Sequence, residues 1–212
     1  MSLERRNVIF HIDVNSAFLS WEAVYRLHHL GGKEDLREKV SAVGGDMAMR
    51  HGIILAKSIP AKKFHIKTGE TILEAKQKCP ELILVPPNYG LYEKCSKAFM
   101  DILRQYSPTV EQYSIDEAFV DMTGTEGLWG DAVTAAYRMK DQIRDTLGFT
   151  VNIGISENKL LAKMASDFQK PDRVHTLWHN EIEDKMWPLP VSDLFFVGRR
   201  LPKSCLTWGS IP

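Results

Sequence analysis

Asp116 and Glu117 stand side by side in YSIDEAFVD, residues 113–121, and Asp121 follows four residues later. An isolated Asp-Glu pair ordinarily marks a solvated turn. Here Ile115 precedes the pair and Ala118, Phe119 and Val120 follow it, with no Gly, Pro or Asn to make a surface turn. A further acid, Asp13, ends the apolar run NVIFHID, residues 7–13. If the fold brings these segments together, three carboxylates, Asp13, Asp116 and Glu117, converge at one sheet edge. Like charges a few Å apart cannot all stay ionised in a partly buried site unless a cation offsets them. An all-oxygen donor set favours Mg²⁺ or Mn²⁺ over zinc. Two such ions about 3.5–4 Å apart clamp the attacking and leaving oxygens of a phosphoryl displacement. Asp121 is expected as a supporting acid or an ion-pair partner.

The elements that must position these acids can be read from periodicity. Residues 7–13 alternate and are rich in β-branched and aromatic types, which suits a strand, and residues 16–30 read as a helix that stops at Gly31-Gly32. From Val40 to about Pro87 short apolar runs surround the Lys-rich stretch KSIPAKKFHIKTGETILEAKQKCP, which predicts a small inserted subdomain with one helix near residues 71–78. Residues 89–106 form an amphipathic helix, because Leu91, Cys95, Ala98, Phe99, Ile102 and Leu103 recur at helical spacing. Two short strands flank SIDE, followed by a helix over 130–147, a strand over 149–156 and a helix over 158–168. Without the insertion the order is strand, helix, strand, strand, helix, strand. That is the ferredoxin-like (split βαβ) arrangement of an α+β fold, with helices on one face of an antiparallel sheet. In such a sheet the first strand lies beside one from the second half, so Asp13 can approach Asp116 and Glu117. Beyond Pro190 the segment VSDLFFVGRRLPKSCLTWGSIP reads as an element left half made.

Composition narrows the function classes. With 212 residues and 44% hydrophobic content, the chain can build a substantial core in one larger and one smaller domain. The 27 basic and 27 acidic residues cancel, so overall charge argues neither for nor against a polyanionic partner. No apolar run approaches a membrane span and MSLERRN has no apolar signal core behind its charges, which predicts a cytoplasmic protein without membrane partners. Cys79, Cys95 and Cys205 lack any CxxC pair or accompanying His cluster and read as structural thiols. No GxxxxGK, HExxH or GxSxG motif is present, which leaves P-loop, zinc-protease and hydrolase readings without support. Gly44-Gly45-Asp46 matches the GGDEF segment of diguanylate cyclases only weakly, since Met47-Ala48 follows.

Three segments carry a resemblance to a known family. DVNSAF (residues 13–18), YSIDEAFVD and GISENKLLAKMASDFQKP (residues 154–171) resemble, in order and approximate spacing, the signature segments of Y-family translesion DNA polymerases, the DinB-like, UmuC-like and ImpB/MucB/SamB group. The resemblance implies a polymerase palm over 1–39 and 88–190, fingers over 40–87 and the start of a helix-hairpin-helix thumb over 191–212. It implies a low-fidelity, DNA-directed DNA polymerase acting in lesion bypass and DNA repair. Its partners would be primer-template DNA, a dNTP and, through C-terminal parts, a sliding clamp.

Carried over by motif, Asp13, Asp116 and Glu117 would hold two Mg²⁺ ions, or Mn²⁺ in substitution, with the backbone carbonyl of Val14 a further ligand. Phe18 would be the steric gate, its ring leaving no room for a 2′-hydroxyl. Lys170 would reach the triphosphate, Asp167 would tie down its helix end, and Lys163 would face phosphate or lie exposed. The fingers depart from the family pattern: Ile59 stands where many members have a triphosphate-binding Tyr, and Lys62 where they have Arg. Ile59 donates no hydrogen bond, and Lys62 supplies a point charge without a bidentate fork. Ser58 is the candidate to compensate. A catalytically weak or inactive DNA-repair binding module on the same fold, and a nucleotide cyclase, stay open as alternatives. Because polyanion affinity scales with the phosphates neutralised, the balanced charge predicts weak DNA binding by these residues alone.

Overall fold

The computed structural model describes residues 6–45 and 52–197. Its strands are β1 (Ile9–Val14), β2 (Ser41–Gly44), β3 (Ile54–Lys57), β4 (Ile83–Val85), β5 (Val110–Gln112), β6 (Glu117–Asp121), β7 (Val151–Ser156) and β8 (Val174–Thr176). Its helices are α1 (Ala17–His29), α2 (Ile59–Lys62), α3 (Ile72–Lys78), α4 (Tyr89–Tyr106), α5 (Glu126–Trp129), α6 (Ala132–Leu147), α7 (Lys159–Asp167) and α8 (Ile182–Lys185). The chain forms two compact units, one from residues up to Asp13, Ile102–Asp141 and the chain from Val151 onward, the other from Val14–Asp101 and Gln142–Thr150.

The first unit is built on a five-stranded sheet in the order β5-β6-β1-β7-β8. β6 runs antiparallel to both β5 and β1, and β8 runs parallel to β7. The four strands β5, β6, β1 and β7 reproduce the split βαβ order expected from the sequence. The sheet is nevertheless mixed rather than antiparallel throughout, because α7 carries the chain from β7 to β8, and a helical crossover returns a strand in the same direction. β8 escaped the sequence reading: three residues are too few to show alternation.

Alternation in β1 sends Phe10, Ile12 and Val14 to one side of the sheet and His11 and Asp13 to the other. All five are buried. The register pairs His11 with Phe119 and Asp13 with Glu117. The penultimate residue of β1 and the first residue of β6 therefore present two carboxylates directly opposite each other.

Helix α7 starts where the Asn158 side chain accepts a hydrogen bond from Leu161 N at 2.9 Å, satisfying one of the four otherwise unpaired donors of a helix start. It presses on β7 at Gly154, where an added Cβ would lie 2.0 Å from Ala162 O and 2.3 Å from Ser166 N. Asn152, on the same side of β7, donates from Nδ2 to the carbonyls of Ser166 (3.0 Å) and Gln169 (2.6 Å). Those two bonds satisfy carbonyls of the last turn and fix the exit towards Lys170. Leu161, Met164 and Ala165 bury the other side of the helix with Leu177, Phe168 and Ile182.

The second unit contains a three-stranded sheet, β3-β2-β4, with β2 antiparallel to β3 and parallel to β4. Ala42, Ile54, Ala61, Ile66, Ile72 and Leu82 form its core. Helix α3 opens with a capping box: Thr71 Oγ1 accepts from Glu74 N at 3.2 Å while Glu74 Oε2 accepts from Thr71 N at 3.0 Å. The Lys-rich stretch was expected to hold one helix and holds two, since the single turn α2 forms after Ser58 with Pro60 in its first turn. Most of the expected thumb segment, along with Asp46, Met47, Ala48 and Cys205, lies outside the described residues. Among the described residues no helix is long and apolar enough to cross a membrane.

Candidate active site

Asp13 and Glu117 are the pair that the sheet brings together. Opposed residues on one face of an antiparallel ladder have Cβ atoms about 4.5–5.5 Å apart, so their carboxylates share one local environment. Each is met by a lysine from the α7 region. Lys170 Nζ binds Asp13 Oδ2 and also lies 2.8 Å from Asp167 Oδ1. Lys163 Nζ is 3.0 Å from Glu117 Oε1 and 3.7 Å from Asp167 Oδ2. Lys163, which the sequence left as phosphate-facing or exposed, is in fact 6% exposed, because the side of α7 that carries it is laid against the sheet.

Asp116 is half-buried one residue before Glu117, and its Oδ1 accepts from Ser114 Oγ at 2.7 Å. Among the described residues no three His, Cys, Asp or Glu side chains stand as a group able to hold a metal ion. What stands assembled is the facing pair Asp13 and Glu117. Asp121 accepts from the backbone N–H of Thr123 at 2.9 Å and so shapes the turn after β6.

The two facing acids differ electrostatically. Burial pushes the Asp13 carboxyl up from its ordinary value, and the charge and hydrogen bond of Lys170 offset this only in part. Lys170 divides its charge between Asp13 and Asp167; burial alone would lower it, and the two acids hold it above the ordinary lysine value. Burial would also raise Glu117, but hydrogen bonds from His11 and Lys163, with the charge of Lys163, outweigh it and hold that carboxyl at about 2. A depressed carboxyl adds stability above its ordinary value of 4.5 and loses it as pH falls towards 2. Glu117→Gln should therefore lower the melting temperature at pH 6, and the gap from the parent should close as pH drops below 4.5. A gap that stays constant down to pH 3 (about one unit above the folded value) would show that ionised Glu117 contributes no pH-linked stability.

The donors available fit a hard divalent cation. They are carboxylate oxygens, and Asp13 bears a largely desolvated charge that a cation would offset. The other predicted site residues lie in the second unit and are described there. Phe18, half-buried in α1, stacks on Tyr92 with centroids 4.6 Å apart and planes 15° from parallel. Tyr92 is held in turn by its hydroxyl bond of 3.0 Å to the buried Glu22. The ring of Phe18 thus has a rigid backing. Lys62 is exposed at the end of α2, and Ile59 at its start is 50% exposed. Ser58 is buried, and its Oγ accepts from Ala61 N (3.1 Å) and Ser41 N (3.2 Å), so its oxygen serves α2 and β2.

Sequence reasoning missed His11, Ser166, Asn152 and Gly154. A signal existed for His11: it stands two residues before Asp13 in an alternating strand, and so on the same side of the sheet.

The fold is the mixed α+β palm-and-fingers fold of Y-family DNA polymerases. It is similar to the crystal structure of DinB from Sulfolobus solfataricus, with a TM-score of 0.83 and 26% identity over 95% of this chain and 57% of that one. A Y-family DNA polymerase chimera gives a TM-score of 0.83 at 26% identity, covering 95% of this chain and 58% of that one. Residues 12–167 match the model of the impB/mucB/samB family, and the chain belongs to that family. Among curated relatives, DNA polymerase IV of Clostridium acetobutylicum is 51% identical over 197 residues, covering 92% of this chain and 49% of that protein. The chain spans about half the length of the curated relatives it matches.

Proposed function

We propose that this protein is a template-directed DNA polymerase of the lesion-bypass type, transferring a deoxynucleotide to a primer 3′-hydroxyl. The observation that carries the reading is the register that sets Asp13 opposite Glu117, in a chain of the impB/mucB/samB family. Asp13, Asp116, Glu117 and the Val14 carbonyl would hold two Mg²⁺ ions, with Mn²⁺ a possible substitute. Bound there, the cations supply charge neutralisation and activation of the hydroxyl.

The protein's own side chains orient and select. Lys170, already paired with Asp13, meets the triphosphate, exchanging a carboxylate for phosphate oxygens. Phe18, backed by Tyr92, excludes a 2′-hydroxyl. Lys62 adds a phosphate contact without the fork that an Arg would give, and Ser58, whose oxygen holds the turn that bears Lys62, would contact the nucleotide through its hydroxyl. Gly44, Gly45 and the short side chains near Ser58 give undemanding fingers, which suits synthesis across damage. Primer-template DNA and a dNTP are the partners, a sliding clamp is a further one, and the compartment is the cytoplasm.

The test is extension of a labelled primer on intact and abasic templates with Mg²⁺, beside an Asp116→Ala control. We expect template-dependent addition of deoxynucleotides that the control lacks. Product no greater than the control's would remove the polymerase reading; a gel shift without lengthening would point to a DNA-binding module, and conversion of GTP without template to a cyclase.

A further inference from the structure

His11 shares its side of β1 with Asp13 and is fully buried. Its Nε2 is 3.3 Å from Glu117 Oε2 and its Nδ1 is 2.8 Å from Ser166 Oγ. Phe119 covers the ring at a centroid distance of 4.8 Å. Ser166 Oγ also sits 2.7 Å from Lys163 O, within one turn of α7; with the hydrogen of His11 on Nε2, the Ser166 hydroxyl hydrogen is the one that Nδ1 accepts. A ring with both nitrogens engaged and one face covered has no freedom to turn. An ionised carboxylate only accepts, so the Nε2 position carries the hydrogen that meets Glu117.

The two oxygens of Glu117 are therefore held unequally. Oε2 faces an immobile ring, whereas Oε1 faces the Lys163 ammonium at 3.0 Å, a point charge that Asp167 also shares at 3.7 Å. We propose that His11, braced by Ser166, is a positioning residue that fixes the Glu117 carboxylate so that Oε1 alone is offered to a divalent cation, with Lys163 the group the cation displaces. The inference rests on the polymerase reading above and adds to it a residue outside the acid set. His11 acts through Glu117 and touches no reacting atom.

The test reads cation affinity rather than turnover: Mn²⁺ is titrated into the protein and free Mn²⁺ is followed by electron paramagnetic resonance, with circular dichroism confirming the fold of each variant. Groups that orient a metal ligand are worth about 10–100-fold in affinity, so His11→Leu should weaken Mn²⁺ binding by about tenfold or more. His11→Gln restores a donor near the Nε2 position and should recover most of the loss, which a merely structural role would not predict. Lys163→Met should change affinity in the opposite direction and tighten binding, because the competing ammonium is gone. Ser166→Ala, a substitution small enough to be accommodated, should weaken binding less than His11→Leu does.

Parent-like affinity in folded His11→Leu, alongside loss in Glu117→Ala, overturns the inference and leaves the metal reading standing. If His11→Leu does not fold, unchanged affinity in both Ser166→Ala and Lys163→Met overturns it. A parent that takes up no Mn²⁺ sensitive to Asp13→Ala or Glu117→Ala overturns the metal reading itself, and the inference with it.

Discussion

Gly154→Ala should lower the melting temperature by about 10 °C and detach α7 from the sheet. The added Cβ would sit 2.0 Å from Ala162 O and 2.3 Å from Ser166 N, and both are backbone atoms that no rotamer change can move aside. Overpacking of this kind costs about 3 kcal/mol at the upper end of its usual range. A chain of this size loses about 2–4 °C of melting temperature per kcal/mol. The site suffers with the fold, because α7 carries Lys163 and Ser166 and the segment after it carries Lys170. Thermal unfolding by circular dichroism checks this. A melting temperature within about 2 °C of the parent, the effect of roughly 1 kcal/mol or less, would mean that α7 shifts away from β7 without strain.

Asp13→Asn should remove deoxynucleotide incorporation by at least about a thousandfold, equivalent to about 4 kcal/mol of transition-state stabilisation, while leaving the protein no less stable. The activity loss follows from removing one of two facing carboxylates proposed to hold the cations. The stability change has the other sign because burial makes the ionised Asp13 side chain costly in the folded state. A raised carboxyl favours folding most when protonated, below its ordinary value of 3.8, and that contribution is lost as pH rises through the folded value. The neutral amide escapes this loss, so the variant should melt above the parent at pH 7 and level with it near pH 3. Lys170 keeps its 2.8 Å contact to Asp167 and is not left unpaired. Primer extension and melting curves on the same preparations decide it. Retained incorporation would break the site assignment, and a melting temperature that falls at pH 7 would show that the Lys170 pair outweighs the burial of the charge.

Much of this was open to view in the chain itself. The apolar alternation around Asp13, the long amphipathic run ending at Tyr106 and the two strands flanking Ser114 to Glu117 each rest on neighbours in sequence, where periods of 2 and 3.6 speak directly. The environment of each site residue was less open. Ser58 looked like a candidate to bind phosphate, and only the structure shows that its oxygen also accepts from Ala61 N and Ser41 N. Lys163 had no mark separating it from a solvated lysine, yet its ammonium rests on Glu117.

By itself, then, the sequence determined the strands and helices of the split βαβ core and their order, the family and the acids worth watching, because all of these depend on local periodicity or on residue identity at fixed spacing. Only the tertiary structure decided that Glu117 is the acid opposite Asp13, that His11, Lys163 and Ser166 gather on it, and that α7 descends far enough to reach them. Those facts hinge on the register of β1 against β6 and on the missing side chain at Gly154, which together set distances between segments more than a hundred residues apart.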